Sequence, residues 1–85
     1  MILNEDECAA AGVDPKKVAS IARRIERAAL EARALGVQIF GGSGSGSLRF
    51  DDGHRHMLVL ANVDGNWSGG CGAEMADGEG LMRGE

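Results

Sequence analysis

The chain has no tyrosine, and Phe40, Phe50 and Trp67 are its only aromatic residues. A core built from these 85 residues must therefore be aliphatic, with alanines letting backbones approach closely. It must also be small, because a short domain buries a modest share of its surface. No apolar run nears the roughly 20 residues that cross a bilayer, so no membrane association is expected. The N-terminal stretch Met1 to Glu7 is acidic and lacks the apolar segment of a secretion signal, which sets the expectation of a cytoplasmic protein. There Cys8 and Cys71 would remain reduced thiols. They form no Cys-x-x-Cys pair, which removes the usual zinc and redox motifs. Asn66-Trp67-Ser68 fits a glycosylation sequon, which is idle without export. The net charge of −4 argues against nonspecific nucleic-acid binding by the chain as a whole.

What is present reads as a folded α+β domain, since a 44% hydrophobic content is too high for full disorder. A short helix is expected over residues 5–11. Asn4 and Glu7 have capping-box spacing, and Gly12 suits a left-handed C-cap. A long helix follows from Asp14, a good N-cap, and Pro15 at its first position, to a stop at Gly36. Val18, Ile21, Ala22, Ile25, Ala28, Ala29, Ala32 and Leu35 form one apolar stripe on it. Its six basic residues, Lys16, Lys17, Arg23, Arg24, Arg27 and Arg33, face only Glu26 and Glu31 in charge balance. This helix is thus basic within an acidic chain. Leu30 falls on its polar side, either as a lone exposed leucine or as a contact point for a partner.

After Gly36 the period shortens to that of strands. Val37–Phe40, Ser47–Phe50 and His56–Val63 read as three strands, the last apolar on both faces. Asp51-Asp52-Gly53 and Asp64-Gly65 read as turns, and Asn66–Ser68 as a brief fourth strand. Beyond Ser68, glycine and acidic residues dominate. The expected architecture is a short and a long amphipathic helix packed on a three-stranded antiparallel meander, residues 1–68, with a flexible tail over 69–85. Val18, Ile21, Ile25, Ala28, Ala32, Leu35, Ile39, Leu48, Phe50, Leu58 and Leu60 are its expected core.

Three patterns bear on chemistry. Gly41 to Ser47 is glycine-rich and follows a strand, as phosphate loops do, but Gly46 stands where the loop lysine belongs and a strand follows in place of a helix. A flexible hairpin loop is the better reading. His54 and His56 alternate as metal ligands can, yet no third ligand is specified, so they are read as turn residues with no metal. No nucleophile, base or acid pair emerges, so no catalytic residue, cofactor or enzymatic activity is expected.

Ala11 to Ile21 resembles the turn and second-helix entry of helix-turn-helix DNA-binding proteins. On that reading the DNA contacts are Lys16, Lys17, Arg23 and Arg27. The first helix is very short for that motif, and a third helix is missing. The stretches 11–15, 36–49 and 60–70, within residues 5–72, also resemble a group of small bacteriophage- and prophage-encoded proteins. That resemblance implies only a setting, a bacterial cytosol with host or phage macromolecules as partners, and brings no assigned activity. The leading expectation is a non-enzymatic accessory protein that binds another protein, for instance to inhibit a host defence or regulatory protein. Leu30, Phe40, Met57 and Val59 are the apolar residues left over for that contact. A homodimer through the sheet would use the same surplus.

Overall fold

Asp14 and Pro15 start the longest element as the sequence requires. The Asp14 carboxylate accepts the Lys16 N–H at 2.9 Å, and its carbonyl accepts those of Lys17 and Val18. The helix runs Pro15–Ala34 (α2) and follows a short helix, Glu5–Ala11 (α1). The computed structural model describes residues 1–42, 44–70 and 72–84. Cys71, expected as a reduced thiol, and Ser43, within the glycine-rich stretch, lie outside the described residues. Gly12, at a φ of 71°, closes α1, and the Val13 N–H reaches back to the Cys8 carbonyl. The capping box expected at the start of α1 does not form. Asn4 makes no side-chain cap, and Glu7 instead accepts the Met82 N–H at 2.8 Å.

Three strands, Gln38–Gly42 (β1), Ser45–Phe50 (β2) and Leu58–Val63 (β3), form an antiparallel sheet in the order β1-β2-β3. The protein is therefore α+β, with two helices and a three-stranded antiparallel sheet. The first two strands run further than their apolar residues suggested. They continue through Gly42 and from Ser45, so most of the glycine-rich segment is a tight hairpin and not a loose loop. Asp51 and Asp52 form the expected turn, accepting the N–H groups of Gly53 and His54. No strand forms over residues 66–68.

The chain divides into two compact units, Met1–Arg27 with Gly70–Glu85, and Ala28–Gly69. In the first, Leu3, Cys8, Val13, Val18 and Ala22 share one groove. The stretch expected as a flexible tail contributes a second sheet to this unit, Glu74–Ala76 (β4) paired with Met82–Gly84 (β5). Asp77 organises that hairpin. One carboxylate oxygen accepts the N–H groups of Glu79 at 2.8 Å and Leu81 at 3.0 Å, and the other accepts Arg83 Nε. Arg83, aided by these backbone donors, holds the Asp77 carboxyl below its usual range. The charged form is thus favoured in the hairpin. Its contribution is present above the unfolded aspartate value and lost as pH falls through the lowered one. Amide spectra followed through acid should show Glu79 and Leu81 losing their hairpin shifts below the ordinary aspartate range. Asp77→Ala should produce that loss at neutral pH.

The expected core is only partly present. Of its eleven residues Ala32 alone is buried, with Val18, Leu48 and Phe50 half-buried. Ile21, Ile25, Ala28, Leu35, Ile39, Leu58 and Leu60 are exposed, Ile25 at 61% and Leu35 at 74%. The stripe that the periodicity marks is not the side of α2 that the chain buries: Ala19, outside it, is buried with Ala32, and Val18, Ala22 and Ala29 are half-buried. The periodicity does not determine whether the chain itself covers that stripe.

Candidate interaction surface

Strand register sorts the sheet residues into two faces. Ile39, Leu48 and Ala61 stand opposite one another across the three strands. Gly41, Gly46 and Val63 form the next row on that face. Trp67 lies over this second row. Its Nε1 donates to the Val63 carbonyl at 2.7 Å, and its own carbonyl accepts the Gly44 N–H at 3.2 Å. A Cβ at Gly46 would overlap the indole, and one at Gly41 would stand 3.2 Å from it. Two of the glycines in the apparent phosphate loop are therefore a seat for an aromatic ring. Gly44, at a φ of 83°, serves the turn.

The opposite face carries Phe40, Ser47 and Arg49. Phe40 is paired with Ser47, and Arg49 stands opposite Gln38. The Arg49 guanidinium lies 4.1 Å from the centre of the Phe40 ring, and its Nε donates to Ser47 Oγ at 2.8 Å. This is a cation–π stack held by a hydroxyl, and Ser47 is buried beneath it. A bulge then alters β3. Leu48 pairs with Ala61 but Arg49 pairs with Val59, so Leu60 has no opposite residue. The shift places Val59 on the Phe40 face and returns Leu58 to the Ile39 face, opposite Phe50. Phe40 remains 45% exposed and Val59 53%.

Two of the four residues expected to meet a protein partner are thus on one surface. Met57 is half-buried just before β3. Leu30 is exposed on α2, where its spacing from Arg23 and Arg27 sets it on their side of the helix. Comparison with protein-family models, with curated proteins and with solved structures returns no match. The geometry of these surfaces is therefore the basis for a functional reading.

Lys16, Arg23 and Arg27, at intervals of seven and four residues, form an exposed basic line along α2, and Lys17 lies a quarter-turn away. His54 sits in the turn, its Nδ1 3.2 Å from Asp52. Among the described residues no three His, Cys, Asp or Glu side chains converge as a metal site would require. Among the described residues no helix is long and apolar enough to cross a membrane. The stacked Arg49 and the buried Ser47 were not singled out by the sequence. Their signal is the hairpin register, which sets Arg49 diagonal to Phe40.

Proposed function

We propose that this chain acts by binding protein, without catalysis, as a phage- or prophage-type accessory protein with a bacterial host protein as its target. One observation supports this reading above the others. Large apolar side chains are open on α2 and on both faces of the sheet: Ile21, Ile25 and Leu35 on or just after the helix, and Ile39, Phe40, Leu58, Val59 and Val63 on the strands. Scattered exposed leucines are ordinary, but contiguous apolar rows mark contact surfaces. The Phe40–Arg49–Val59 face suits a heterologous partner. Phenylalanine and arginine are among the residues enriched in protein interfaces. The phage setting is supported by the sequence resemblance alone.

A second reading, a DNA-binding regulator, draws on the exposed line of Lys16, Arg23 and Arg27. It requires affinity that falls steeply with salt and drops when Lys16, Lys17 or Arg23 is neutralised. Affinity capture of the tagged protein from bacterial lysate, with and without nuclease, separates the two. The protein-binding reading expects one protein to be retained through nuclease treatment, and to be lost with the double variant Phe40→Ser/Val59→Ser. Retention of nucleic acid, with associated proteins lost after nuclease, would favour the DNA reading instead.

A further inference from the structure

We infer that α2 pairs with α2 of a second copy of this chain, antiparallel, about a two-fold axis between residues 26 and 27. The inference rests on the protein-binding reading and names one of its contacts. Val18, Ile21, Ile25, Ala28, Ala32 and Leu35 are spaced alternately by three and four residues, the repeat of a helix-pairing seam. Ile21 is 50% exposed and Ile25 61%, so the middle of the seam is open.

The order of large and small residues along the seam sets the direction. Antiparallel about that axis, Ile25 faces Ala28 of the second copy, Ile21 faces Ala32, and Val18 faces Leu35. Symmetry repeats each pair. In the Ile25–Ala28 layer a branched side chain meets an exposed methyl, which fills space without collision. Ala32 is already covered within its own chain, so Ile21 settles into the hole bounded by Ala28, Glu31 and the exposed Leu35. A parallel pair would instead set Ala28 against Ala28 and Ala32 against Ala32, leaving gaps that cost stability.

Charge favours the same direction. Arg24 and Glu31 flank the seam on one side, seven residues apart, and both are exposed. Antiparallel pairing brings Arg24 of each copy to Glu31 of the other, giving two attractive pairs by symmetry. In a parallel pair Arg24 would face Ala29 and Glu31 would face Gly36. The surface is therefore complementary to itself in both size and charge, and a second copy is the occupant it fits.

Charge exchange tests this. Sedimentation equilibrium at low salt should show a dimer for the unaltered protein. Arg24→Glu and Glu31→Arg should each raise the dimer dissociation constant about tenfold, since two attractive pairs become repulsive. Mixing the two variants should restore association, because an acidic side chain then meets a basic one at both ends of the seam. The double variant should self-associate again for the same reason. Circular dichroism should show unchanged helix content throughout. A dimer indifferent to both reversals overturns the helix pairing while leaving protein binding in place. A chain that stays monomeric at millimolar concentration also overturns it, and loss of partner capture in Phe40→Ser/Val59→Ser would still support the heterologous face.

Discussion

Gly46→Val should destabilise the sheet unit by about 3 kcal/mol, the scale of forcing bulk into an occupied site. The Trp67 indole occupies the space above Gly46, so even the first carbon of a side chain there displaces the ring. Displacement would also break the bond from Trp67 Nε1 to the Val63 carbonyl. Trp67 is the only tryptophan, so its fluorescence reports the event directly. Emission should shift to the red and the urea midpoint should fall. Gly44→Ala should be milder, since a Cβ there meets nothing within 4 Å and the strain is confined to the backbone φ of 83°. Unchanged emission and stability in Gly46→Val would show that the glycine-rich segment is not built around the indole.

The double variant Ile21→Asp/Ile25→Asp carries the second large effect. The sequence alone predicts that charges at these positions unfold the protein, because they sit in the middle of the apolar stripe. The structure predicts retention of helix and sheet with loss of association, because both side chains are at least half exposed. Circular dichroism should be preserved while sedimentation becomes monomeric. Thermal stability would then fall only by the share that mass action in the dimer supplied. Unfolding of the variant at every concentration would restore the stripe to the core.

These cases show which features were legible in the sequence and which were not. Asp14, Pro15 and Gly12 fix helix ends through local bonding, and their roles follow from a few adjacent residues. The three strands were visible in their alternation. Their lengths were not, because Gly41, Gly42 and Gly46 carry no side-chain period, and the seat that Gly41 and Gly46 form is explained only by Trp67, some twenty residues later. The β4–β5 hairpin was missed for a similar reason. Its order comes from Asp77 gathering donors across the turn, and neither strand has an apolar pattern to announce it. The candidate contact residues followed the same division. Phe40 was legible as an apolar surplus, but Arg49 stacked on it required the hairpin register, and Val59 beside it required the bulge at Leu60.

The seven exposed members of the expected core have a common physical basis. A three-four repeat or a strand alternation reports that one face avoids water, and it is silent on whether the cover comes from the same chain. In this protein those rows remain open along α2 and across the sheet, and the proposed role in protein contact depends on them.

Sedimentation equilibrium of the unaltered protein from micromolar to millimolar concentration is the most direct test of that claim. A monomer–dimer equilibrium that strengthens with added sulfate, as burial of apolar surface should, is the predicted result. A folded monomer across the whole range would contradict cover of the α2 row by a second copy, and the Phe40–Val59 face would then rest on the capture experiment alone.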